Sequence, residues 1–344
     1  MNRRWIFTGL LAVALFAGFA QKPYKVVFYN LENFFDTIDD PRVQDDEFTP
    51  DGAKKWNAER YARKLANVER VFSDIAASDG DFPIVIGVSE VENRGVVESI
   101  AAAEKLAPAD YRIVHFDSPD ERGIDVAFLY CPDRFRFEGA APMRANIPQL
   151  PHFKTRDILT MWGTIDEEPF FFLVSHWPSR LGGQEASEFK RMAVGAQIRR
   201  IADSVRDDRP VAKIVVMGDF NDDPIDRSLV DGLRTSLSIS ELQEGDLFNP
   251  FAAIFRAGSG TLAYNGAWNL FDHIVVSANL ATGSSGGLRL LPDADSLYWG
   301  RIVAPAYLLQ SDGAYRGCPL RTFEGKRYWG GFSDHLPVCI CIGK

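Results

Sequence analysis

The sequence predicts an α/β or α+β protein with large sheets, on three observations. Short apolar runs rich in Val, Ile and Phe alternate with amphipathic stretches of helical period. The chain has 344 residues, 46% of them hydrophobic, which is ample for a sizeable core. No Gly/Ser/Pro linker, repeat or low-complexity tract divides it. Length alone would admit two domains at ~100–200 residues each, but the absence of a linker favours one domain over residues 21–344.

The N-terminal segment stands apart. Residues 1–20 carry Arg3 and Arg4, an apolar run from Trp5 to Phe19, and small residues Gly18 and Ala20 just before Gln21. The run is short for a span of ~20 residues. Its layout is that of a cleaved signal peptide, with an uncleaved anchor as the alternative. The expectation is an exported protein, periplasmic or extracellular, with no stable membrane span after processing.

The expected strands are Lys25–Tyr29, Ile84–Ser89, Ile124–Tyr130, Ile158–Ile165, Phe170–Ser175, Lys213–Met217, His273–Ser277 and Leu336–Ile342. The expected helices are Ala58–Ala77, Gly95–Lys105 and Glu185–Val205. In the first helix Leu65, Val68, Phe72 and Ile75 share one face. The stretch from Ala278 to Gly331 is the least regular, and loops of that length are often functional.

The net charge is −9, so the basic footprint of a duplex-binding protein is absent. Hydrolysis of a phosphate remains open, because a bound cation can supply the local positive charge. Four cysteines are too few for a disulfide scaffold. Cys339 and Cys341 share a strand face, so a bond from Cys318 to one of them and a role as small buried hydrophobes are both open. No Cys/His spacing suggests zinc, and no obligate protein partner is evident.

Polar residues collect at the ends of the apolar strands. Asn30 and Glu32 follow the first strand. Glu90 and Glu92 follow the second. His176 follows Phe170–Ser175, while Asp219, Asn221 and Asp222 follow Lys213–Met217. Asp272 opens one strand, and Asp334 with His335 precedes the last. Each alone could be a turn former or a satisfied core residue. Six clusters placed alike point to a shared rim. Carboxylates and amides without cysteine suit a hard cation such as Mg²⁺ (or Mn²⁺), which needs only one or two protein carboxylates. With a phosphate ester as substrate, the cation would neutralise oxygen charge, a carboxylate or imidazole would take a proton from water, and fixed donors would hold the phosphoryl oxygens.

The clusters resemble the endonuclease/exonuclease/phosphatase superfamily, the group of pancreatic-deoxyribonuclease-like phosphodiesterases. The matching pieces are VVFYNLENFFD at 26–36, IGVSEVEN at 86–93, RGIDVAFLY at 122–130, SHWPSR at 175–180, MGDFNDDP at 217–224, WNLFDHIVVS at 268–277 and GFSDHLPV at 331–338. The resemblance implies a four-layer sandwich, two packed mixed sheets flanked by helices. It implies Glu90 as the main metal carboxylate, with Glu32 and Asp334 in support. It also implies Asn30 and Arg122 as phosphate contacts. Asp219 and Asn221 would orient water and phosphate, His335 would act beside the phosphate with Asp272 orienting it, and His176 would be a second imidazole. Ser89 departs from the Gln common before the metal Glu. His273 follows Asp272 where other polar residues are frequent; it reads as a satisfied strand residue, with substrate contact as the alternative.

The resulting expectation is a metal-dependent phosphodiesterase, most simply a nuclease. A phospholipid or sugar-phosphate hydrolase is the alternative with the same chemistry. A non-catalytic ligand-binding relic is the alternative from another class. Trp177, Trp268, Tyr298, Trp299, Tyr328 and Trp329 lie near the motifs and could stack on bases, contact lipid or sugar, or simply pack.

Overall fold

The computed structural model describes residues 22–264 and 266–344; the expected leader at 1–20 lies outside the described residues. Among the described residues no helix is long and apolar enough to cross a membrane.

The first sheet is built around β1 (Tyr24–Phe34). It pairs in parallel with β2 (Val85–Val91) and antiparallel with Val338–Gly343. Beyond β2 lie β4 (Asp125–Tyr130) and then, at the edge, β3 (Arg112–His115). The second sheet runs β5 (Arg136–Met143), β6 (Ile158–Ile165), β7 (Glu168–His176), β8 (Lys213–Asp219), then Asp272–Ser277 and two short strands at 247–248 and 235–236. Only β7 and β8 of its long strands are parallel neighbours. Both sheets are therefore mixed.

Strand alternation makes the layers. In β1, Val26 and Phe28 face the second sheet and pack with Phe172, Val174, Val215 and Met217. Val27 and Tyr29 point the other way, against Val68, Phe72 and Ile75 of α1 (Ala58–Asp79) and Val96, Val97 and Ile100 of α2 (Arg94–Ala101). On the far side, Leu173, Ile214 and Val216 pack on Val194, Ile198 and Ala202 of α3 (Gln184–Asp208). Helix, sheet, sheet, helix is the order that buries both faces of each sheet.

Local signals fix the helices. Asn57 and Asn93 cap α1 and α2 by accepting from the N–H of Arg60 and Val96. Gly80 ends α1 at φ 70°. Helix α2 stops at Ala101, four residues short of the sequence expectation, and a 3₁₀ turn at Ala107–Ala109 follows. The edge strand β5 was not foreseen; most of its residues face solvent and it holds Gly139 and Pro142, so it lacks an apolar run. The irregular stretch after 278 supplies four short strands, 289–291, 301–302 and the hairpin pair 323–324 and 327–328, among loops.

Helices α1 and α3 connect the two parallel pairs, so β1 with β2, and β7 with β8, end at the same rim. Ligand sites of α/β sheets lie at such carboxyl ends. In the second sheet His176 is opposite Asp219, which is opposite Asp272 at the start of its strand.

Candidate active site

The rim residues sit on distorted backbone. Glu32, Asn33, Glu90 and Asn221 have φ of 51°, 49°, 61° and 53°, a left-handed conformation that is uncommon outside glycine. Pairing shifts register between Asn30 and Phe34 and between Ser89 and Val91. These bulges turn side chains out of the strand alternation and toward the rim, as bulges beside sites commonly do. Gly218 serves the same end: a Cβ there would lie 1.9 Å from the Ser175 carbonyl oxygen.

Asn30 and Asp219 join the two sheets. The buried Asn30 donates from Nδ2 to Asp219 Oδ2 at 2.9 Å and accepts from the Glu32 N–H at 2.9 Å. Asp219 Oδ1 accepts from the Asn221 N–H at 2.9 Å. Asn221 gives its Nδ2 to the Trp177 carbonyl at 3.1 Å. Asn30 and Asn221 thus have their amide hydrogens committed to positioning Asp219 and its strand end.

Two imidazoles flank Asp219, and their pKa values shift in opposite directions. His335 Nδ1 is 2.7 Å from Asp272 Oδ2, and its Nε2 is 3.7 Å from Asp219 Oδ2. Burial opposes charge on this ring, but the Asp272 and Asp219 carboxylates outweigh it and hold the pKa well above the ordinary imidazole value. This favours the imidazolium form of His335. His176 Nε2 lies 3.4 Å from Asp219 Oδ2 and 3.9 Å from Glu90 Oε1. Burial, reinforced by Arg156, Arg122 and His335, drives its pKa well below the ordinary value. This favours the neutral ring, and the buried His176 Nδ1 has no hydrogen-bond partner among the described residues. Burial first, then Asp272, raises Asp219 to about 7, against the pull of His335 and the two amide donors.

Glu90 is held at the rim by the Asn33 N–H at 2.8 Å and lies 3.5 Å from the guanidinium of half-exposed Arg122. Glu32 and Asp334 belong to a neighbouring group. Glu32 accepts from the N–H of Thr322 at 2.6 Å, and Arg321 lies 3.6 Å from it and 2.9 Å from Asp334. Burial and then Asp334 raise Glu32 to about 7, with Lys64 and Arg321 opposing. The carboxylates Glu90, Glu32 and Asp334 do not form a three-ligand cage. Among the described residues, three His/Asp/Glu groups come within ligand reach of one another at Asp219–Asp272–His335 and at His115–Asp117–Asp125. The donors at the rim still fit a hard divalent cation, since they are carboxylate and amide oxygens and Asp272 keeps a buried oxygen without a partner.

Residues outside the sequence expectation complete the site. Arg156 reaches Asp120 at 3.1 Å and the Trp177 carbonyl at 2.7 Å. Thr261 Oγ1 accepts from the Asp272 N–H at 3.3 Å. Lys64, buried, donates to Thr322 Oγ1 at 2.7 Å behind Glu32. Lys64 sits at helical spacing with Val68 and Ile75, and a lysine on that apolar face was a readable signal. Arg156 and Thr261 carried none. His273 stacks on Phe220 at 5.0 Å and meets Asn249 and the Asp222 carbonyl through its two nitrogens, so it is a core residue. Glu92 accepts from the Asp36 N–H at 2.6 Å behind the rim.

The profile of the Endonuclease/Exonuclease/phosphatase family matches residues 25–344. No curated protein sequence matches the chain significantly. Solved structures share its fold at low identity. Zebrafish (D. rerio) TDP2 complexed with a single-strand DNA product is 14% identical, with 94% of this chain and 100% of that one covered and a TM-score of 0.54. The human Nocturnin catalytic domain with bound sulfate is 14% identical, at 94% and 95% coverage and TM-score 0.52. A Bacteroides thetaiotaomicron mannosyl-6-phosphatase is 15% identical, at 93% and 100% coverage and TM-score 0.52.

Proposed function

The chain belongs to the endonuclease/exonuclease/phosphatase family, and from that premise we propose that it is an exported, divalent-metal-dependent phosphoric ester hydrolase whose first candidate substrate is a nucleic-acid phosphodiester. The observation that carries the reading is the buried Asp272–His335–Asp219–Asn30 chain of contacts between the two sheets. Within it Asp219, raised to about 7, lies 3.7 Å from the ring of His335, whose pKa the neighbouring carboxylates raise.

Each residue then has a role. Glu90 would hold Mg²⁺ or Mn²⁺, with Glu32 and Asp334 adding negative potential from behind. A bound divalent ion stabilises charge on the phosphoryl oxygens and the leaving oxygen. Asp219 takes the proton of the attacking water, and a pKa near the working pH suits that task. His335 donates from Nε2 to a nonbridging oxygen, its positive charge growing more favourable as negative charge develops. His176, being neutral, offers a hydrogen bond. Arg122 meets the phosphate from the open side. Asn30 and Asn221 position Asp219. Export is supported by the layout of residues 1–20.

A second reading, a small sugar phosphate as substrate, is favoured by one observation. A cavity of about 810 Å³ on the side of Glu92 and Asp120 is lined by Asp36, Asp39, Asp40, Asp117, Glu121 and Asp125, against the two basic residues Arg42 and Lys154. That acidity repels a long polyanion. Hydrolysis of bis-p-nitrophenyl phosphate with Mg²⁺ or Mn²⁺ tests the reaction, and a panel of single-stranded DNA, RNA, sphingomyelin and sugar phosphates tests the substrate. Metal-dependent turnover abolished by EDTA is expected. No turnover of any ester would leave the chain a ligand-binding protein. Fractionation of expressing cells tests export.

A further inference from the structure

We propose that a cavity on the Asp334 side of the site is a subsite for the planar nucleobase of a nucleoside phosphate ester, formed by Tyr264, Tyr315 and Trp329 over Arg321. This rests on the phosphate-ester reading of the neighbouring site.

The cavity has a volume of about 140 Å³, and the three rings line it together with Arg321, Glu324 and Asp334. Asp334 on its wall is the chain neighbour of His335, and Arg321 on the same wall pairs with Asp334 at 2.9 Å, so the cavity shares residues with the edge of the site. The rings are not tucked into the core: Tyr264 is 69%, Tyr315 50% and Trp329 41% exposed. Single exposed aromatics are ordinary, but three around one small cavity at the edge of the site are a stacking surface. Of the other aromatics near the motifs, Trp268 lines a separate cavity and Tyr328 packs on Phe323 at 5.3 Å. Trp177 stacks on Phe220 at 4.3 Å, and Tyr298 and Trp299 pack against the core.

The walls are tied to the site. Tyr264 stands on a hairpin (Leu262–Tyr264 with Ala267–Asn269) whose Leu262 bridges to His335 and whose neighbour Thr261 accepts from the Leu336 N–H at 2.8 Å. Trp329 donates from Nε1 to Glu324 at 3.3 Å and from its N–H to the Thr322 carbonyl at 2.9 Å, and Thr322 is bound to Glu32. The Arg327 guanidinium lies 3.8 Å from the Trp329 ring centroid. The polar atoms suit a base edge. Carboxylates accept from exocyclic amines, and Arg321, already bound to Asp334, presents further donors to ring carbonyls. A base is uncharged, so Glu324 and Asp334 do not repel it.

Thymidine 5′-p-nitrophenyl phosphate and methyl p-nitrophenyl phosphate differ only in the nucleoside. The wild-type protein is expected to favour the thymidine ester in kcat/KM by at least tenfold. In Tyr264→Ala, Tyr315→Ala and Trp329→Ala that ratio should collapse toward one, with most of the loss in KM, and Trp329→Phe should restore it. Equal kcat/KM for the two esters in the wild type, or an unchanged ratio in all three variants, overturns the subsite. Saturation-transfer NMR with AMP and with mannose 6-phosphate separates this from the reaction itself. If no ester is hydrolysed but AMP contacts are lost in Trp329→Ala, the subsite stands and the hydrolase reading fails. Contacts from mannose 6-phosphate alone would overturn the base assignment in favour of a sugar.

Discussion

Replacing Asp272 by Asn tests the charge state on which the proposed chemistry depends. The substitution keeps the shape and an acceptor for His335 Nδ1–H but removes the negative charge. The Asp272 side chain is fully buried, and the contact is 2.7 Å. That places the charge centres about 4 Å apart, where at an effective dielectric of about 20 the attraction is roughly 4 kcal/mol. Desolvation takes back part of this, leaving a net preference for the imidazolium of about 3 kcal/mol. The His335 pKa should therefore fall. If the imidazolium serves the transition state, turnover falls roughly a hundredfold. Initial rates on bis-p-nitrophenyl phosphate read the second quantity, and an NMR titration of the His335 ring reads the first without needing a substrate. A variant with turnover within threefold of wild type, its His335 still charged at neutral pH, would refute the reasoning.

Other perturbations have equally definite outcomes. Glu90→Gln should abolish Mn²⁺ binding by calorimetry and lower turnover to the level of the EDTA-treated wild type; retained binding would move the metal to other residues. Asn30→Ala strands the Glu32 N–H and loosens Asp219, so urea unfolding should show a loss of about 2–3 kcal/mol along with at least a tenfold fall in turnover. His273 gives a pH dependence of stability. Burial depresses its pKa to about 4, below the unfolded value of about 6.5, so the unfolded chain binds the extra proton. Its contribution is present above pH ~6.5 and lost as pH falls toward 4, at most about 3 kcal/mol. Denaturant titrations at pH 7 and pH 5 should show the slope in the wild type and a shallower one in His273→Gln.

The site was legible because its members sit at strand ends in the sequence. Asn30, Glu90, His176, Asp219 and His335 each follow or precede an apolar run, and strand termini are forced to a rim. The buried long strands and α1 were legible for a related reason: period 2 and period 3.6 record which faces are covered. Strands β3 and β5 were not, because an edge strand with a solvated face carries little apolar pattern. Arg156 was missed because a single arginine in a loop has no neighbours in sequence that mark its target. Lys64 was overlooked, though its place on the apolar face of α1 marked it as a buried charge in need of a partner.

Side-chain type and order along the chain determined the family, the fold class and the pool of reacting groups, since covalent identity and hydrophobic period are local properties. Three decisions belonged to the tertiary structure. It set Arg321 against both Glu32 and Asp334. It pushed the pKa of His335 up and that of His176 down, two identical side chains separated by what surrounds them. It brought Tyr264, Tyr315 and Trp329 around one cavity from positions up to 65 residues apart. Burial and the distance between charges set these outcomes, and both exist only once the chain has folded.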